Sequence, residues 1–393
     1  MKNFRLLALG AFLMTAGLRA LHAQEGGGGQ EEIITDFGID EYIYTPKFTL
    51  NIGMRSLSGS KTSFAGRGLV ASVVANPDYT SANIPRIYHD GSVSVDTRAT
   101  VDPDGNVSLI KPDGYTNTWG YTFVNQIGAD GNMAFHTYSA DIIDPGERDK
   151  SANSSRGVEV VVARDMGQLT KKIDWKLFAG MSLNDLNSMR TEEVGATVTT
   201  VTDYYTLNGQ TPPLPPYNGP TAGSSGVIGA DGSTGSIAVD TTTLLGNAPL
   251  GRTTTVSNGV VFNRWKVKGG YFTFRAGPSA TYAITEKLKA TLSVGAALVF
   301  VGSTYTVEQV FTPDVGTDII SNVDNTTNKL LPGYYADATV EYDFTERAGA
   351  YAGAVYQSNG SYDQTIATTT ANYTTKIDLA SLQGFRLGMN FRF

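Results

Sequence analysis

His89-Asp90 and His136 are the residues of this chain best suited to acid–base chemistry. A histidine becomes a general base when a carboxylate orients its ring. Neighbouring residues on an extended strand project to opposite faces, so Asp90 is badly placed to orient His89. No catalytic residue is assigned on this pattern. Asp102, Asp104 and Asn106 form an oxygen-rich run like the opening of a calcium loop. The later bidentate Glu is missing, and Asp-Gly pairs recur at 90–91 and 113–114 as turn signals. Turns are the preferred reading here and calcium the alternative. No cofactor is implied.

A second group carries charge without catalytic spacing. Arg55, Glu159, Asp174, Lys176, Arg275, Asp337, Glu341 and Asp343 each stand on the polar side of a segment whose other side is apolar. Two roles are open to them. They can form an ion-pair network that neutralises charges shut inside the fold, or a ring that selects ions in a pore. Both signs are mixed, which favours the network.

The elements that position these charges are strands. Phe48, Leu50, Ile52 and Met54 alternate with Thr49, Asn51, Gly53 and Arg55. Val158, Val160 and Val162 share a face opposite Glu159. Trp175, Leu177, Ala179 and Met181 alternate with Asp174, Lys176 and Gly180. Phe272, Phe274, Ala276, Ala280 and Tyr282 oppose Thr273, Arg275, Ser279 and Thr281. Leu288 to Phe300 carries one long apolar face at alternate positions. Tyr334 to Phe344 does the same against Asp337, Glu341 and Asp343. Arg347 to Gln357 is a weaker strand, small on both faces. In the last strand Phe385, Leu387, Met389, Phe391 and Phe393 alternate with Gly384, Arg386, Gly388, Asn390 and Arg392. Each is long enough for a tilted strand across a bilayer.

Composition agrees. The 393 residues are 41% hydrophobic but only 17% charged, with 44 Gly and no Cys, which excludes disulfides and thiolate metal sites. The net charge of -7 comes without basic clusters, so nucleic acid is not an expected partner. Lys2 and Arg5 followed by the apolar run Leu6 to Leu18 predict a signal peptide over 1–23. A flexible segment is expected over 24–45, and one all-β domain over 46–393.

Three short turns are predicted, at Gly167 to Lys171, Thr285 to Lys287 and Thr345 to Arg347. They alternate with four long polar segments, about 58–156, 183–269, 302–333 and 358–380, expected as loops at the opposite end. Within them, Gln210 to Pro220, with Pro212, Pro213, Pro215 and Pro216, reads as an extended, exposed tip and 221–243 as a Ser/Gly/Thr run.

This terminal pattern resembles that of bacterial outer-membrane β-barrel proteins, of the small type similar to the OmpA membrane domain and OmpX. Arg386, Gly388, Phe391 and Phe393 match, residue by residue, the C-terminal signal of that class. The resemblance implies recognition by the barrel-assembly machinery and a place in the outer membrane, with lipid as partner. The predicted fold is a transmembrane antiparallel up-and-down barrel of eight strands, ten to twelve being the alternative. The expected function is structural or surface-interacting, through the long loops and an unidentified surface ligand. The alternative is a porin-like diffusion channel. A soluble secreted β-protein and an outer-membrane hydrolase, which would use a His beside an Asp or Ser, are less favoured.

Overall fold

A computed structural model describes residues 47–393 except 110, 144–145, 152–153 and 220–242. The predicted signal peptide, the segment 24–45 and most of the run 221–243 lie outside the described residues.

Twelve strands build the body: β1 (Phe48–Ser58), β2 (Lys61–Ala71), β3 (Asn132–Ile142), β4 (Ser155–Thr170), β5 (Ile173–Thr206), β6 (Gly251–Ala283), β7 (Leu288–Phe311), β8 (Ile319–Asp343), β9 (Ala348–Ser358), β10 (Ser361–Ala367), β11 (Ala371–Asp378) and β12 (Leu382–Arg392). Followed from β1, the antiparallel pairings run through β4, β5, β6, β7, β8, β9 and β12 and return to β1. The ladder therefore closes on itself and leaves no edge, so every wall strand finds main-chain partners on both sides.

The outer face of this lower barrel is an apolar belt. Leu292, Val294, Val340, Phe385, Leu387 and Met389 are exposed, while their strand neighbours Ser293, Thr339, Arg386 and Asn390 are buried. β12 is 11 residues long, roughly 25 Å of height for a strand tilted by about 40°. Among the described residues no helix is long and apolar enough to cross a membrane.

Above the belt the wall continues. β5 and β6 are 34 and 33 residues long. Their upper halves, with those of β7 and β8, form a second storey with β3, β2, β11 and β10. β1 passes into β2 at Gly59 (φ +98°) and β9 into β10 at Gly360 (φ +76°), a backbone region that glycine enters at little steric cost. The second storey has a dry interior. Phe64, Trp265, Tyr305, Tyr373, Val267 and Val307 are essentially buried, and Phe64 stacks on Trp265 and Tyr305 at 6.3 and 6.0 Å.

Strand therefore replaces loop over much of the four polar segments. The segment expected as a loop from 58 to 156 holds β2 and β3, and 183–269 holds most of the upper halves of β5 and β6. The segments 302–333 and 358–380 are likewise largely strand. The reason is physical. Outside lipid the outward positions turn polar, as at Arg264, Lys266 and Lys268, while the inward ones are Asn263, Trp265 and Val267. The two-residue period persists, but its hydrophobic sense is inverted, with the apolar residues now on the inner face.

A small cap sits on this storey, built from the short strands Arg86–Ile87, Gly91–Val93, Trp119–Tyr121 and Tyr217–Asn218. Its core is Tyr88, Val93, Trp119, Tyr121, Met133, Phe135, Tyr205, Leu207, Tyr217 and Leu245. The proline-rich segment is not a free tip: the Tyr121 hydroxyl donates to the Pro213 carbonyl, and Tyr217 is buried against Trp119.

Candidate functional site

The interior of the lower barrel is spanned by charge. Glu159 on β4 points inward because Val158 and Val160 take the outer face. Its Oε2 accepts from Arg275 Nη2 of β6 at 2.7 Å. Its Oε1 accepts from Arg386 Nε of β12 at 2.6 Å and from the Tyr351 hydroxyl of β9 at 2.9 Å. Arg386 also reaches Asp337 Oδ2 of β8 at 3.3 Å. The two guanidinium groups lie over aromatic faces, Arg275 over Tyr335 at 4.5 Å and Arg386 over Tyr351 at 4.9 Å. One carboxylate is thus tied to three strands across the lumen. Its three acceptor bonds offset the cost of taking a charge out of water.

Arg55 of β1 extends the layer. Its Nε donates to Asn184 Oδ1 of β5 at 2.6 Å and its Nη2 to Thr273 Oγ1 at 3.2 Å. Gln357 of β9 donates to the same Thr273 hydroxyl at 3.2 Å. Seven of the strands in the closed ladder contribute a polar side chain to this plug. β7 contributes the buried Ala297 and Val299 instead.

A second, lower tier lies towards the short turns. Glu341 accepts from Thr291 Oγ1 at 2.9 Å and Asn390 Nδ2 at 3.1 Å. Asp343 pairs with Arg392 and, at 3.1 Å, with Lys289. Lys176 lines an enclosed space with Glu341, Asp337 and several Ser and Thr side chains. That space is ≈ 30 Å³, room for about two or three waters at about 10–15 Å³ each. Asp174 is half-buried on the inward side of β5, near the short turn and away from the plug.

Of the charges singled out in the sequence, Glu159, Arg275, Asp337 and Arg386 meet directly. Arg55 lies one layer away, and Glu341 and Asp343 form the separate lower tier. The uncharged partners Tyr351, Tyr335, Asn184, Thr273 and Gln357 were not singled out, although strand parity already placed Thr273 and Tyr335 inward. Tyr351 sits in the weakly patterned strand β9.

The terminal-signal residues are held by the wall. Gly388 faces Gly53 on β1 and Tyr351 on β9. A side chain at Gly388 would run into the Ile52 carbonyl and the Tyr351 hydroxyl. Phe393 exchanges main-chain bonds with Phe48 at 2.9 and 3.0 Å, and their rings stack at 6.1 Å.

Asp90 finds its histidine elsewhere in the chain. Its Oδ2 lies 2.6 Å from His136 Nδ1, and its Oδ1 accepts the His136 main-chain N–H at 2.8 Å. His89 points away and bonds the Thr317 carbonyl through Nε2 at 2.8 Å. Close by, Asp203 accepts the Tyr88 hydroxyl at 2.6 Å and both Nε and Nη2 of Arg252 at 2.6 and 2.8 Å. Burial pushes the Tyr88 hydroxyl far above its usual range and that of Tyr205 up to about 12.

The calcium candidate is committed to its own turn. Asp102 Oδ1 accepts the N–H groups of Asp104 and Asn106, and its Oδ2 accepts the Asn106 side-chain amide. Among the described residues no three His, Asp or Glu side chains come together as a metal site.

No protein-family model and no curated protein matches this chain. Similar solved structures are outer-membrane β-barrels. The outer membrane protease OmpT from Escherichia coli is 12% identical over 88% of this chain and 97% of that one, with a TM-score of 0.29. A Pseudomonas aeruginosa FadL homologue is 9% identical over 88% and 90%, with a TM-score of 0.17. The P. putida toluene transporter TodX is 10% identical over 89% and 91%, with a TM-score of 0.15. These three are not of the small OmpA and OmpX type that the terminal strand resembles.

Proposed function

We propose that this protein is an integral outer-membrane β-barrel with a structural or surface-interaction role. Eight strands make its membrane wall, the number of the small OmpA and OmpX type, and the second storey and cap are its working surface. The observation that carries this reading is the Glu159 plug. Arg275 of β6 and Arg386 of β12, four strands apart in the eight-stranded ladder, are joined through the one Glu159 carboxylate at 2.7 and 2.6 Å, and the space these arginines help to line has room for about two or three waters. An eight-stranded barrel is just wide enough for side chains to fill. A porin-like channel needs an aqueous lumen that this packing occupies. The Asp90–His136 pair acts as a tie between cap and β3, because the carboxylate also takes the His136 main-chain N–H. We assign this carboxylate–histidine contact to holding the cap and read the protein as non-enzymatic, although a carboxylate on the ring nitrogen is also how a general base is oriented.

Single-channel recording in a planar bilayer tests the proposal. Purified protein should give no regular conductance steps. Steady ion-sized steps at neutral pH would replace this reading with the diffusion channel.

A further inference from the structure

The outer face of the membrane wall carries a groove at one place. Trp175, Ala280 and Leu292 lie in one row across β5, β6 and β7. In the next row Leu177 faces Pro278. Between two tall walls, β6 thus presents only the short side chains of Pro278 and Ala280. Leu169 closes one end, reaching over after the bulge at Gly167. The ladder between β6 and β7 lapses at Gly277 and Pro278, because proline has no N–H to donate. The resulting open groove measures ≈ 470 Å³, lined by Leu169, Trp175, Pro278, Ala280, Leu292 and Val294 together with Ser279. That volume falls in the range of small-molecule sites, and its chemistry is that of a hydrocarbon chain.

What lies at the end of the groove decides the occupant. The turn between β4 and β5 carries Lys171 and Lys172, both exposed. It adjoins the end of β6, where the Ala283 N–H donates to the Lys172 carbonyl at 3.0 Å. The turn after β6 adds Lys287 and one opposing charge, Glu286. The third short turn, 345–347, carries only Glu346 and Arg347. The groove therefore opens beneath two adjoining turns that together carry three cations against one anion. From Trp175 to Lys172 is three residues, roughly 10 Å of strand. The Trp175 ring, half-buried between them, has the amphipathic character of a residue at the hydrocarbon boundary.

We infer that this groove is a binding site for an anionic glycerophospholipid of the leaflet next to the short turns. One acyl chain lies over Ala280 between Trp175 and Leu292, and the phosphate lies against Lys171, Lys172 and Lys287. Apolar contact alone would take any lipid, and the lysines select the anionic headgroup. The inference rests on the membrane reading above but not on any role of the cap.

The test uses the full chain folded into nanodiscs of phosphatidylcholine with a minor share of phosphatidylglycerol. Native mass spectrometry after transfer to detergent counts the lipids retained. The wild type should keep one phosphatidylglycerol per chain. Ala280→Trp, which fills the groove, should lower that retention at least tenfold. Lys171→Glu with Lys172→Glu should abolish the preference for phosphatidylglycerol over phosphatidylcholine while leaving the barrel heat-modifiable. The lysine pair lies on an exposed turn, so it keeps the proposal testable if Ala280→Trp does not fold. Three results would overturn it: no lipid retained by the wild type, unchanged retention in a folded Ala280→Trp variant, or an unchanged headgroup preference in the lysine variant. A lipid-free dimer would also overturn it, by making the groove a contact between copies. Failure of the wild type to enter nanodiscs at all would instead count against the membrane reading.

Discussion

Glu159 and Arg275, on the strands either side of β5, meet over its inner face inside the lower barrel, joined at 2.7 Å with both side chains almost wholly buried. Neither has solvent to fall back on. The same carboxylate holds Arg386, so its removal leaves Arg275 without its carboxylate and Arg386 with Asp337 alone.

Glu159→Ala should therefore destabilise the barrel by about 3–5 kcal/mol, the usual cost of leaving a buried charge without its partner. Urea unfolding in detergent, followed by heat-modifiable migration, measures this. Glu159→Ala combined with Arg275→Met should recover part of the loss. A double variant no more stable than the single one would show that the pair is not the coupled unit described here.

The cap should loosen in acid. Arg98 clasps Asp113 with bonds of 2.6 and 3.0 Å. These hold the Asp113 carboxyl below the usual carboxylate range. A carboxylate whose folded pKa is depressed adds stability above its unfolded value, near 3.9, and loses it as pH falls through the folded value. Amide exchange at Tyr115 and Asn117 should quicken over that acid range while β7 stays protected. Asp113→Asn should remove the pH dependence, and an unaltered profile in that variant would sink the assignment.

Asp90 ties the cap to β3 through two bonds to one residue. Asp90→Ala should cost about 1–3 kcal/mol, because it leaves the buried His136 N–H without an acceptor. The expected sign is faster proteolysis of the cap with an intact barrel core. Equal cleavage rates for variant and wild type would mean that the contact is incidental.

Gly59 stands where β1 becomes β2, at φ +98° and against the Ser381 carbonyl. Gly59→Val forces a β-branched residue into that region and should destabilise by about 1–3 kcal/mol or more. Thermal melting in detergent checks it, with Gly251→Val as the control, since Gly251 has no positive φ and nothing within 4 Å of an added side chain.

Phe393→Asp should impair insertion and leave the chain in the periplasm. It removes the ring stacked on Phe48 and puts a charge at the hydrocarbon boundary. A normal yield of heat-modifiable protein in the outer membrane would argue against an assembly role for this residue.

The lower barrel was legible because lipid enforces contrast. Leu288 to Phe300 alternates apolar outward positions with Thr291, Ser293 and Ala297, and the structure keeps that parity throughout. The same parity placed Glu159, Arg275 and Arg386 inside, although it could not say that one carboxylate would hold both arginines. The second storey was missed because the apolar residues switch faces within one strand, from Phe272 and Phe274 outside to Trp265 and Val267 inside, which breaks the run of one apolar face. Asp90 and His136 were separable only by tertiary structure. Their 46-residue spacing carries no local signature, whereas the adjacent His89 was the more conspicuous neighbour and the wrong one.

The seam between Phe48 and Phe393 sets a condition in time. Hairpins such as β6–β7 and β7–β8 join segments only a short turn apart, but β1 and β12 lie at opposite ends of the described chain. Contacts so distant in sequence form slowly, since a long loop must close before they can form. Until the last strand arrives, β1 and β12 are both raw edges able to pair with a foreign strand. The most vulnerable period in this protein's life should therefore be the interval just before its final residues are zipped home.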